Sequence, residues 1–374
     1  MINKERVTKI FLEMASLSSP SGKERKMADF LIQYLKQHNI EVYEDNAGKT
    51  IDGNSGNVIG VLKAPGKKRV LLSAHMDTVS PCTKIHPILE DGIIKTDGTS
   101  VLGGDDKSGI VAILELIHQI QEQNIDHPEI VMVFSIAEET GLFGAKAFDT
   151  NAYGPIDYAF VLDSSGNPGK VIHAAPYSAS GDIIIHGKEA HAGIAPEKGV
   201  NALVVAAHAI SKLKIGRIDE ETTCNIGTVE GGLASNIVMP SVRMLFEARS
   251  LEKEKLLSVL QEVNTAFATA CKEWGATLDN QVAVKTPGYK IALDESICQI
   301  AKSACENAGF DAQFAFSMGG SDANIYNEKG IPSLNLATGM SKVHTVEEFI
   351  KVQDMVDVSA ILVDIIKEIN KEGV

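Results

Sequence analysis

Three apolar runs in this sequence each end abruptly on ionisable side chains. RVLLSA (69–74) runs into His75-Met76-Asp77-Thr78, IVMVFS (130–135) into Ile136-Ala137-Glu138-Glu139-Thr140-Gly141, and YAFVL (158–162) into Asp163-Ser164-Ser165-Gly166. Short apolar runs bounded by turn residues read as buried strands. Between the first two lies the helix-like IVAILELIHQIQEQ, so strand, helix and strand alternate. In open α/β sheets ligands bind outside the carboxyl ends of the strands. The histidine and the acids therefore belong to one crevice.

The acids carry the sharper chemistry. Glu138 and Glu139 are adjacent, and two such carboxylates repel unless a cation lies beside them. Neighbouring side chains point in different directions, so one acid could bind a metal while the other handles protons. Taken alone, a solvated Glu-Glu pair in an exposed loop is the commoner arrangement. His75 and Asp77 lie two apart and share a face of an extended chain. Asp77 is then suited to hold the second ring nitrogen of a ligand histidine. Asp105 and Asp106 stand in Gly103-Gly104-Asp105-Asp106-Lys107-Ser108-Gly109. A phosphate loop fails there, because the glycine before the lysine is missing and the acids would repel phosphate. Two readings remain: acids capping a positive helix end, or a metal carboxylate on a tight glycine loop.

Composition narrows the class. The length suggests roughly two domains, and the net charge of -14 argues against nucleic-acid or anionic-membrane partners. Five cysteines are scattered with no CxxC pair, which fits reduced thiols in the cytoplasm and not a disulfide framework or thiolate site. The amino-terminal stretch carries charges throughout, with Val7, Ile10, Phe11, Met14 and Leu17 at helical spacing. It reads as an amphipathic helix, not a signal peptide. No run is apolar and long enough to cross a membrane.

In chain order, Ser21 and Glu24 form a candidate capping box for a second helix running to about His38. The texture changes near Ala179. Strand-like pieces with glycine-rich turns follow, with helices over about 200–213 and 258–274 and a last strand over 281–285. This predicts two helices on a small, mostly antiparallel sheet, an α+β insert. From about Gly288 the α/β texture resumes, passing Ser317-Met318-Gly319-Gly320-Ser321-Asp322 and His344 before a final helix. The expected division is a catalytic domain over 1–178 and 288–374, with an inserted domain over 179–287.

Histidine and carboxylate ligands without thiolate suit zinc, with manganese or cobalt as alternatives. Two histidines and three acids suffice for two metals sharing one carboxylate, a known device for activating water and polarising a carbonyl.

SAHMDT, GGDDKSG, AEETG, LDSSG and the late His344 resemble the dinuclear-zinc peptidase family that includes peptidase T, carboxypeptidase G and aminoacylase. The resemblance runs over essentially the whole chain and is strongest toward peptidase T-like proteins. It implies a mixed-sheet α/β catalytic domain with a ferredoxin-like lid through which two chains form a homodimer. It implies two zinc ions bridged by Asp105, with His75 and Asp163 completing one site, and Glu139 and His344 the other. Glu138 would be the general base and Asp77 would orient His75. The peptide bond after the bridging aspartate, here Asp105-Asp106, is often cis in the family. His191 matches a lid histidine that helps bind the oxyanion, often from a partner subunit. Arg249 matches an arginine that grips the substrate's carboxylate, while Asn236, Gly319 and Ser321 would line the pocket.

The substrate implied is a short peptide. Asp163, where carboxypeptidase G-like members tend to carry glutamate, favours an aminopeptidase. Peptidase T proper has an arginine before the paired glycines, here Met318, which leaves the tripeptide preference open. An N-acyl-amino-acid amidohydrolase and a non-catalytic zinc-binding protein stay as alternatives. Dehydrogenase, kinase and serine-hydrolase readings fail for want of their glycine-rich or G-x-S-x-G fingerprints.

Overall fold

The computed structural model describes residues 1–65 and 68–371. The chain divides into two compact units, one of Met1–His173, Ile291–Phe316 and Ser321–Val374, the other of Ala174–Lys290 with Ser317–Gly320.

The first unit is built on a mixed sheet. Its strands lie in the order Glu41–Glu44, Val58–Leu62, Glu129–Ser135, Arg69–His75, Tyr158–Ser164, Ser333–Ala337 and Lys170–Ala175. The four strands from Glu129–Ser135 to Ser333–Ala337 are mutually parallel, so their carboxyl ends share one edge. Arg69–His75 and Glu129–Ser135 are buried over six of seven residues, the near-continuous apolar pattern of strands covered on both faces. Helix Gly104–Gln123 packs on Arg69–His75 and Tyr158–Ser164, and against helices Lys4–Ala15 and Val352–Lys371. Lys4–Ala15 buries Val7, Ile10, Phe11 and Met14, the stripe its spacing predicts. Among the described residues no helix is long and apolar enough to cross a membrane.

The second unit is an antiparallel sheet in the order Gly216–Arg217, Thr222–Gly231, Ser241–Ser250, Tyr177–His186 and Thr277–Asn280, with Ala283–Thr286 also pairing to Tyr177–His186. Val242, Met244, Phe246 and Ala248 alternate with exposed neighbours and pack with residues of helices Ala202–Ile210 and Lys253–Trp274, among them Val205 and Phe267. One face of this sheet is thus the core of an α+β unit.

Two local expectations need correction. Ser21 and Glu24 form no capping box: Glu24 is the N-cap of Arg25–Gln37 without a side-chain cap bond. The Ser21 hydroxyl instead donates to Asp77 at 2.6 Å, because a buried carboxylate is the stronger acceptor. The strand expected over 281–285 is Ala283–Thr286, and a further strand, Thr277–Asn280, precedes it; between them the Gln281 N–H bonds the Asp182 carbonyl and Asn280 Oδ1 accepts the Val282 N–H. The second compact unit, Ala174–Lys290 with Ser317–Gly320, spans the expected insert over 179–287.

Candidate metal centre

Each turn at the carboxyl edge is built to present a side chain. After Glu129–Ser135 the chain turns through Ala137, whose φ is +49°. Four consecutive N–H groups there donate to side chains. Ile136 donates to Asn57 Oδ1 (3.1 Å), Ala137 to Glu24 Oε1 (3.1 Å), Glu138 to Asp77 Oδ1 (3.0 Å) and Glu139 to Asp77 Oδ2 (3.2 Å). Gly144 completes the fit, because a Cβ there would lie 2.4 Å from Asn57 Oδ1 and 2.6 Å from the Ile136 nitrogen. Both glutamates are held by this scaffold with little exposure, which rules out a solvated loop pair.

His75 ends its strand with Nδ1 at 2.8 Å from the Asp77 carbonyl and 3.4 Å from its carboxylate. Asp77 thus meets His75 mainly through its backbone oxygen. Its carboxylate is engaged by the Glu138–Glu139 turn.

The aspartate pair divides the two readings between its members. Asp106 accepts the Gly109 N–H at 3.1 Å and the His75 N–H at 3.2 Å, so it is the helix cap. Asp105 has non-helical φ/ψ and faces the histidines, and the bond joining it to Asp106 is cis. Asp163, near the end of its strand, donates its N–H to Asn335 Oδ1 at 2.9 Å and accepts Asn335 Nδ2 at 2.9 Å.

These loops bring the donor atoms together. His75 Nε2 lies 2.9 Å from Asp105 Oδ1 and 3.8 Å from Asp163 Oδ1. His344 Nε2 lies 3.2 Å from Asp105 Oδ2 and 3.0 Å from Glu139 Oε2. Two groups, His75–Asp105–Asp163 and Asp105–Glu139–His344, each gather three ligand atoms within 4.8 Å, and they share Asp105.

The electrostatics ask for cations. Burial, then Asp163, pushes the Glu138 carboxyl well above the ordinary range; burial, then Asp105, does the same to Asp163. Hydrogen bonds to Asp105 and Glu139 hold His344 up at about 10. Among the described residues Glu139 Oε1 is buried without a hydrogen-bond partner. A nitrogen–oxygen donor set of this composition, with an orphaned carboxylate oxygen, fits two divalent ions sharing one carboxylate.

The remaining expected residues have other surroundings. His191 and Asn236 lie in the second unit. His191 Nδ1 accepts the Gly193 N–H at 3.2 Å, and the Asn236 carbonyl accepts the Ala192 N–H. Arg249, also there, is already engaged: its fork pairs with Glu247 at 2.9 and 3.1 Å and donates to the Met318 carbonyl at 2.8 Å. Gly319 donates to Ser317 Oγ, and Ser321 forms a capping box with Asn324. Sequence reading missed Glu24, Asn57, Asn335 and Glu348 (below), all buried and all accepting backbone N–H groups of ligand-bearing segments. Local spacing carries no trace of such long-range partners.

Residues 174–275 match the family described as peptidase dimerisation domain, and residues 57–208 match peptidase family M28. The chain is similar to the crystal structure of aminopeptidase PepT from Bacillus cereus, with 40% identity over 98% of this chain and 99% of that one and a TM-score of 0.93. A tripeptidase from Staphylococcus aureus superposes with a TM-score of 0.96 at 35% identity, over 99% of this chain and 100% of that one. Peptidase T of Escherichia fergusonii is 30% identical over 280 residues, which take in 72% of this chain and 66% of the relative.

Proposed function

We propose, on the premise that this chain belongs to the peptidase T-like family of metallopeptidases, that it is a zinc aminopeptidase of short peptides. Membership makes it a metal-dependent peptidase; zinc, the peptide length and the residue roles are our reading. One observation carries that reading: Asp105 is common to two three-donor groups, with buried Glu138 next to the ligand Glu139.

His75, Asp105 and Asp163 would hold one ion, and Asp105, Glu139 and His344 the other, with manganese or cobalt as alternatives to zinc. When bound, such a pair polarises a carbonyl and lowers the pKa of water. Glu138 takes the proton of the attacking water and returns it to the leaving amine. The Asp77 carbonyl fixes the proton of His75 on Nδ1, leaving the Nε2 lone pair toward Asp105. His191 would stabilise the oxyanion, and Arg249 would release Glu247 to grip the peptide's carboxylate. An exposed pair of that kind is worth only about 0–1 kcal/mol, so the exchange is inexpensive. Asn236, Gly319 and Ser321 would line the peptide site. The second unit would serve as lid and as the surface of a homodimer, as the dimerisation-domain match supports. Five free, buried cysteines support a cytoplasmic location.

The test is mass-spectrometric hydrolysis of matched di-, tri- and N-acetylated peptides by zinc-loaded protein. Cleavage that requires a free amine is expected. Cleavage of the acetylated peptides would make the protein an amidohydrolase instead.

A further inference from the structure

Glu348 lies four residues beyond His344 and is 2% exposed. Its carboxylate accepts three backbone N–H groups of the loop that carries Asp105. Oε2 takes those of Leu102 at 2.9 Å and Gly103 at 2.8 Å, and Oε1 takes that of Asp105 at 2.9 Å. The approach is close enough that a Cβ on Gly104 would lie 3.0 Å from Oε1. Lys107, next in the same loop and fully buried, donates to the Leu17 carbonyl at 2.9 Å.

Glu348 also belongs to the loop that presents His344. Ser341 and Phe349 close that loop by exchanging backbone hydrogen bonds of 3.1 and 3.2 Å, and His344 within it has φ +62°. One short segment thus carries a donor of one metal group and grips the loop of the donor common to both. Burying a carboxylate is costly unless charge-assisted hydrogen bonds offset it, and these three bonds all converge on the Asp105 loop.

We propose that Glu348 is a positioning residue of the metal centre, holding Asp105 between His75 and His344 so that both metal groups keep their shared ligand. This rests on the reading of Asp105 as the bridging ligand. An amide cannot replace the carboxylate, since its NH2 would face one of the three N–H donors and release that end of the loop.

The test is calorimetric titration of zinc into the metal-free forms of the unaltered protein, Glu348→Gln, Gly104→Ala and Glu347→Gln, with melts of each before and after zinc. Glu347 is an exposed neighbour paired with Lys342 and is the control. The unaltered protein and Glu347→Gln should bind two zinc ions per chain. Glu348→Gln should bind zinc about tenfold or more weakly, with a smaller rise in Tm on zinc addition. Equal zinc affinity in Glu348→Gln, even with a lower metal-free Tm, would reduce Glu348 to a loop brace and overturn the proposal. If Glu348→Gln does not fold, Gly104→Ala decides: it crowds Oε1 while keeping the charge, and unchanged zinc affinity there would overturn the proposal. Absence of zinc binding by the unaltered protein would overturn the metal-centre reading itself, and this proposal with it.

Discussion

The carboxylate of Asp77 accepts the backbone N–H groups of both Glu138 and Glu139, at 3.0 and 3.2 Å. The two oxygens of one buried side chain thus hold the proposed base and its neighbouring metal ligand. Its backbone carbonyl holds His75 at the same time. Asp77→Asn offers only one accepting oxygen, so one of the two N–H groups loses its partner, at about 1–3 kcal/mol. We expect a folded protein whose kcat falls by about 10- to 100-fold with KM little changed. Steady-state kinetics on a peptide substrate checks this.

Glu24 supports the same turn from a different segment, its Oε1 accepting the N–H groups of Gly22 at 2.7 Å and Ala137 at 3.1 Å. Oε2 is buried without a hydrogen-bond partner among the described residues. Burial, with a further push from Asp77, raises the Glu24 carboxyl above its ordinary value. A raised folded-state pKa means that the folded protein binds this proton more tightly than the unfolded chain. Its contribution to stability is therefore complete below the unfolded value and is lost as pH rises through the folded one. Glu24→Gln keeps an accepting oxygen and removes the charge. Its Tm, relative to the unaltered protein, should climb as pH rises above about 4.5 and level off below it. Glu24→Ala should lose about 1–3 kcal/mol at every pH, since the Ala137 N–H is left unpaired. Melts across a pH series separate the two.

Gly144 allows the close approach of Asn57 to this turn. A methyl group there would meet Asn57 Oδ1 at 2.4 Å and the Ile136 backbone at 2.6 Å, and backbone cannot move aside cheaply. Gly144→Ala should cost about 3 kcal/mol and lower kcat as Ala137 and Glu138 shift. Urea titration with parallel kinetics measures both.

The fold was legible where apolar period and turn chemistry act locally. The parallel strands ending at His75, Ser135 and Ser164, the stripe of the first helix and the two-helix insert all follow from patterns a few residues long. Strand patterns put His75, Glu138, Glu139 and Asp163 at or just beyond carboxyl ends that share one edge, while Asp105 and His344 enter the expected donor set through the resemblance of their motifs to the peptidase family. What local patterns could not reveal is which distant group satisfies each backbone N–H of the site. The Ser21–Glu24 spacing looks like a capping box, yet both side chains reach the Asp77–Glu138 region instead. Glu348 sits beside Glu347 in an unremarkable acidic pair, but one is exposed on Lys342 and the other grips the Asp105 loop. The family resemblance makes Arg249 a substrate grip, and only the folded chain reveals Glu247 in its fork.

We assign proton transfer to Glu138 and metal ligation to Glu139 beside it. Metal content and turnover of Glu138→Gln, measured on the same zinc-loaded preparation, test this assignment most directly. Two zinc ions per chain are expected, as in the unaltered protein, with kcat reduced about 100-fold or more. Loss of an ion from the variant would make Glu138 a ligand, and undiminished turnover would remove it from the proton transfer; either result overturns the assignment.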